Sequence, residues 1–188
     1  NHLGAGFSYE NAGELLNRGE FVFVSDFSRN EEKLNIDLDI LPTSLHLNSR
    51  EWNIEPSKIH ILGSDIDVET FELTSSEQKI SLQGKASKEK KDTLTLNLAR
   101  FDISVINPLL KSNLGIAGAA TGEVKLISPL NEMGLLANMI SDSTYVAGVP
   151  LGVVGIGSSW NEEFERFDIG VRNDHAGKSN IIANGKLS

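Results

Sequence analysis

The 188-residue chain contains no cysteine. That excludes a disulfide framework and any thiolate-held metal. Aromatic residues make up only 6%, too few for the clustered, exposed rings that a sugar-binding surface uses. Cations are short as well: 17 Lys and Arg face 26 Asp and Glu, a net charge of −9. This argues against a nucleic-acid partner, whose backbone calls for clustered Lys and Arg. It argues equally against docking on anionic lipid headgroups. No apolar run approaches the ~20 residues of a membrane helix. The longest, 146–156, is broken by Gly148, Gly152, Gly155 and Pro150.

What the chain does have is alternation. In 33–41, Leu34, Ile36, Leu38 and Ile40 alternate with Lys33, Asn35, Asp37 and Asp39. A period of two puts the aliphatics on one face of a strand and the charges on the other. The pattern returns as Ile59 and Ile61, Ile80 and Leu82, Leu94, Leu96 and Leu98, Val124 and Leu126, and Phe167, Ile169 and Val171. These residues are the expected lining of one shared apolar face. The expected fold is all-β: a strongly curved, groove-like sheet of roughly ten to fourteen strands with one short helix. A sandwich core is the alternative, but a closed core mixes large and small residues, whereas this stripe is mostly Ile, Leu and Val.

Along the chain, 1–19 is weakly patterned. Strands are expected at 20–25, 33–41, 43–47, 51–54, 58–62, 65–68, 70–74, 79–84 and 93–99, with a hairpin turn at 29–32. Pro42 ends or bends its strand and Pro56 follows another. The run 86–92 reads as a charged, exposed turn. A helix is expected at 105–112, with Pro108 in its first turn and Gly115 ending it. Strand 118–127 follows. Residues 129–140 carry both helix and strand signals. The glycine-rich 148–157 reads as two strand segments with a bend, and 163–171 and 180–187 as strands joined by a polar turn at 173–179. The chain begins at Asn1 rather than Met and ends directly behind a strand. It therefore reads as one β-rich domain over 1–188, a piece of a longer protein.

Catalytic signals are poor. His2, His46, His60 and His175 have no ligand spacing, and His46 and His60 fall in strands. Gly177-Lys178-Ser179 lacks the earlier glycine of a phosphate loop, since Arg172 stands there. Gly152, Gly155 and Gly157 do not complete a dinucleotide fingerprint and suit a bend or bulge. Asp37, Asp39, Asp65 and Asp67 sit two apart, each beside an aliphatic, as on a solvated strand face. Trp52 and Trp160 suit packing. No catalytic residue, metal or cofactor is expected.

One resemblance organises these segments. Trp52-Asn53-Ile54 leads to Pro56 and Lys58-Ile59. Gln78 to Gly84 and Asp92 to Leu98 come next. Phe101-Asp102-Ile103-Ser104 and Asn107-Pro108-Leu109-Leu110 precede Gly118, Gly122 and Val124-Lys125-Leu126. Gly148 to Gly152 precede Trp160. In this order, over about 50–188, the chain resembles the TamB-like proteins of the bacterial envelope, related to the AsmA-like group, in their Bacteroidetes form. Ser128 stands where that family has glycine before the proline, and the family has a strand at 132–140. The resemblance implies a β-taco groove with an apolar lining in the periplasm. It implies an inner-membrane anchor on the full-length protein and more of the same chain at both ends. Its implied partners are phospholipid acyl chains and an outer-membrane barrel protein. Its implied roles are lipid transport to the outer membrane and outer-membrane protein assembly. The alternative is a β-sandwich adhesin or carbohydrate-binding module.

Overall fold

A computed structural model describes residues 2–11, 17–30, 33–47, 50–89, 91–109, 115–131, 134–161, 166–175 and 178–187. The protein is all-β, and these residues form fourteen strands in one sheet. They are β1 (His2–Asn11), β2 (Asn17–Asn30), β3 (Lys33–Ile40), β4 (Thr43–Leu47), β5 (Arg50–Ile54), β6 (Ser57–Leu62) and β7 (Asp65–Ser75). There follow β8 (Gln78–Ala86), β9 (Thr93–Asp102), β10 (Ala117–Ile127), β11 (Gly134–Val146), β12 (Val149–Asn161), β13 (Arg166–His175) and β14 (Lys178–Leu187). All pairings among them are antiparallel.

Two proline breaks hide a simple topology. β3 and β4 lie end to end along β2: Phe23 opposes Ile40 and Gly19 opposes Leu45. Leu41 and Pro42 separate them. β5 and β6 lie end to end along that pair: Leu38 opposes Ile59 and Leu45 opposes Trp52. Glu55 and Pro56 separate them. Proline has no N–H for the ladder, so each of these strands is split. Counting each split pair as one pass, the sheet is an up-and-down meander of twelve passes, each beside its sequence neighbour. It needs hairpins and no crossover.

The breaks also bend the sheet. Across the gaps, the Leu41 N–H donates to the Val22 carbonyl at 2.9 Å and the Glu55 N–H to the Glu72 carbonyl at 3.0 Å. On β7 the register slips between Val68 and Phe71 at the same level. Interruptions in adjacent passes make a crease. A second line of slips crosses the C-terminal half, between Ala120 and Gly122, between Ser141 and Thr144, and between Val171 and Arg172. Gly122 stands on it at φ +148, and a Cβ there would meet the Asn138 carbonyl oxygen at 2.2 Å. Only glycine permits that approach.

The core follows from the bend. Ile40, Leu45, Trp52 and Ile54 pack together, joined by Phe21, Leu38, Ile59, Phe71 and Phe101 among others. Trp52 is 4% exposed and Ile54 3%, although no second sheet covers them among the described residues. Trp52 on β5 and Phe101 on β9 are separated by β7 and β8, about 14 Å on a flat sheet. Their ring centroids are 6.4 Å apart. The sheet therefore curls over its own apolar face.

Several expectations change. The weakly patterned 1–19 holds β1 and the start of β2. Its signal is diluted by Gly4 and Gly6 on one face and by exposed Leu3, Phe7 and Tyr9 on the other. The expected strands 65–68 and 70–74 are one strand, β7, because a bulge absorbs Glu69 and Thr70 without ending it. The expected α-helix at 105–112 is a 3₁₀ helix, Ile103–Leu109; 110–114 lie outside the described residues. Asn107 ties its end to the next strand. Its side-chain amide donates to the Ile116 carbonyl at 2.7 Å and accepts from the Ile116 N–H at 2.8 Å. The ambiguous 129–140 contains strand β11 from Gly134 onward. The bend expected in 148–157 is one strand, β12, with Gly152 at φ +76 beside a register slip. The polar turn is shorter than 173–179, because Asn173, Asp174 and His175 still pair with β14; 176–177 lie outside the described residues, as do 31–32 in the first hairpin.

Candidate functional site

Residues directly opposite in an antiparallel pair share a face. Following the registers therefore tests the lining one rung at a time. Leu38 opposes Ile59, which opposes Val68, which opposes Gly84, which opposes Leu94. Leu94 opposes Leu126, and Leu126 opposes Leu135. The next rung runs Leu82, Leu96, Val124 and Ala137. A third runs Leu73, Ile80, Leu98, Gly122, Met139, Ile156 and Val171. Ile36 opposes Ile61, Arg29 opposes Leu34, and Phe23 opposes Ile40. Ile169 opposes Ser158. The lining residues named from the sequence thus share one face from β3 to β13. Phe167 falls on the same register line, opposite Trp160; the side chains of both lie outside the described residues.

The sequence reading missed part of this face. Phe7 and Phe23 stack across β1 and β2 with centroids 6.0 Å apart. Phe71 and Leu73 sit on β7 beyond its bulge, where a simple period-two count assigns them to the wrong face. Phe101 is displaced the same way by an extra residue on β9, between Leu98 and Phe101, where the register against β10 slips. Leu135, Met139, Val154 and Ile156 were obscured by the helix signal and by glycines.

The face changes character along the sheet. Over β3 to β5 it holds the buried cluster of Ile40, Leu45, Trp52 and Ile54, with half-buried Leu38, Ile59, Phe71, Leu73, Ile80 and Phe101 against it. Over β8 to β11 the large residues Leu82, Leu94, Leu96, Leu98, Val124, Leu126 and Leu135 are all half-buried. There no second layer covers the apolar face among the described residues. At the N-terminal end, Leu3 is 50% exposed and Phe7 64%.

The opposite face is wet. Asp37 accepts from His60 at 2.6 Å, Asp39 lies 4.0 Å from Lys58, and Asp67 lies 3.1 Å from Lys85. The Asp67 contact raises the Lys85 pKa above its ordinary value. Lys79 pairs with Glu72 at 2.7 Å. Such exposed pairs add little to stability, because solvent screens them.

Among the described residues no three His, Cys, Asp or Glu come together as a metal cluster. Among the same residues no helix is long and apolar enough to cross a membrane. Lys178 opens a strand, not the helix that a phosphate loop requires. His2 contacts Asp26 at 3.0 Å.

One polar pocket, of about 1050 Å³, lies at the rim where β5, β8 and β10 begin and β7 and β9 end. Arg50 Nη2 is 2.8 Å from Asp102 Oδ2, and Arg100 Nε is 3.0 Å from Glu77 Oε2. The Asp102 N–H donates to Gln78 Oε1 at 2.9 Å, and the Ser104 N–H donates to Asp102 Oδ1 at 3.0 Å. Partial burial pushes the Asp102 pKa up, but Ser104 and the Arg50 guanidinium together outweigh it and hold the carboxyl below its ordinary value.

No protein-family model matches the chain, and it matches neither a curated protein nor a solved structure.

Proposed function

We propose that the chain is a non-catalytic segment of a periplasmic bridge whose apolar trough carries phospholipid toward the outer membrane. The observation behind this reading is the continuous aliphatic face, half-open over β8 to β11 and without a covering layer among the described residues. Burying a sixteen-carbon acyl chain against such a face is worth about 0.8 kcal/mol per CH₂, or ~12 kcal/mol at full burial. Neighbouring rungs are chemically alike, so a chain slides from one to the next with little net change. The charged outer face keeps the bridge in water. The likeness of 50–188 to TamB-like proteins supports the same reading, with an inner-membrane anchor on the full-length protein and further sheet at both ends.

Photocrosslinking tests this reading. A photoreactive residue at Leu96, in the trough, is expected to capture phospholipid in cells; the same residue at Asn97, on the wet face, is not. Absence of lipid adducts at Leu96, Val124 and Leu135 together refutes the conduit.

A further inference from the structure

We propose that the rim pocket is a headgroup site selective for zwitterionic phospholipids bearing a primary ammonium. The proposal rests on the conduit reading above and names its cargo. A phospholipid with its chains against the lining has its headgroup where the lining ends, at the strand ends. The pocket stands there and straddles the rim: Arg50 occupies a lining-face register position opposite Leu47, while Glu51 opposes His46 on the wet face.

Its chemistry is two-signed. Arg50 and Arg100 contribute two guanidinium groups, and Glu51, Glu77, Asp102 and Asp142 contribute four carboxylates. The Arg50 side chain is 47% exposed and Arg100 63% exposed. A guanidinium carries five N–H donors in a planar fork, so an ion pair with one carboxylate leaves donors for a phosphodiester. The surplus of carboxylates opposes a purely anionic headgroup and favours a cation beside the phosphate. A primary ammonium donates three hydrogen bonds to carboxylates; a quaternary one donates none. The preferred order is therefore phosphoethanolamine, then phosphocholine, then phosphoglycerol. The net charge of −9 pushes the same way against anionic lipid surfaces.

The test uses the whole chain and three probes carrying the same photoreactive acyl chain: a phosphatidylethanolamine, a phosphatidylglycerol and a diacylglycerol without headgroup. Capture of the ethanolamine lipid is expected to exceed that of the glycerol lipid about tenfold, the scale of one or two charge-assisted hydrogen bonds. The double variant Glu51→Gln/Glu77→Gln removes the surplus of carboxylates by changing two exposed side chains. It is expected to bring the two lipids within about twofold while diacylglycerol capture stays unchanged. Arg50→Ala leaves four carboxylates against one guanidinium and is expected to weaken capture of both phospholipids without narrowing the preference. Equal capture of the two phospholipids by the native chain, or a preference that the double variant leaves intact, overturns the headgroup site and leaves the trough standing. Failure to capture diacylglycerol overturns the trough and the headgroup site with it.

Discussion

Leu96→Arg and Ile54→Arg place the same charge on the same face at two depths. Leu96 is half-buried between Leu82 and Val124. Full burial of a leucine is worth about 1.5–3 kcal/mol, so half-burial puts about 1–1.5 kcal/mol at stake. In an open trough the arginine stem stays on the apolar face and its head reaches water. For a domain of this size, 1 kcal/mol shifts Tm by about 2–4 °C, so Leu96→Arg is expected to melt about 2–6 °C lower and remain folded. Ile54 is 3% exposed, inside the packed cluster. A guanidinium there has no route to water, and the cost exceeds about 4 kcal/mol, a large part of a total stability of about 5–15 kcal/mol. Ile54→Arg is expected to be unfolded or insoluble. Asn97→Arg, on the wet face, is the control and is expected to stay within about 0.5 kcal/mol of the native chain. Denaturant and thermal melts followed by circular dichroism read all three. If Leu96→Arg unfolds as Ile54→Arg does, the face is shut at β9 and the trough does not exist. If Leu96→Arg stays folded and the full-length protein still supports full envelope function, this strand carries no lipid.

Other outcomes follow from particular contacts. Gly122→Ala and Gly84→Ala each place a Cβ 2.2 Å from a carbonyl oxygen at positive φ, and each is expected to lose at least about 1–3 kcal/mol. Gly155→Ala meets nothing within 4 Å and is expected to be neutral or slightly stabilising in the same melts. Trp52→Ala removes the ring that meets Phe101 and is expected to cost about 3–5 kcal/mol by urea titration. Asp102 has a folded-state pKa below its ordinary 3.8, so the unfolded chain takes up its proton first. Its contribution is complete above that ordinary value and is lost as pH falls through the folded-state value. In urea titrations at several acidic pH values, Asp102→Asn is expected to show a shallower loss of stability below about pH 4 than the native chain. An unchanged acid profile refutes the role of the Ser104 and Arg50 contacts.

The alternation in 33–41 and 93–99 was enough to define all-β structure and to assign Leu34 to Ile40 and Leu94 to Leu98 to one side of their strands. Strand geometry has a period of two whatever lies around it, so a strand's own sequence determines which side chains share a face. The same local logic placed Pro42 and Pro56 at breaks, because a missing N–H is a property of the residue. Face assignment failed where the period was interrupted. At Glu69 and Thr70, and near Arg100 at φ +49, an extra residue shifts the phase, and only the partner strand shows whether Phe71 and Phe101 turn inward. The 3₁₀ helix was misread for a related reason: its end is held by Asn107 bonding to Ile116, across nine positions. Above all, the local pattern is the same over β3, which helps close the core, and over β9, whose lining stays half-buried. Ile40 and Leu96 both fall on the aliphatic side of an alternating strand, yet Ile40 is 3% exposed and Leu96 half-buried; what separates their surroundings is how far the sheet curls above each. That depends on creases aligned across adjacent passes and on Trp52 reaching Phe101 over two strands, which is information held between strands and not within any one of them.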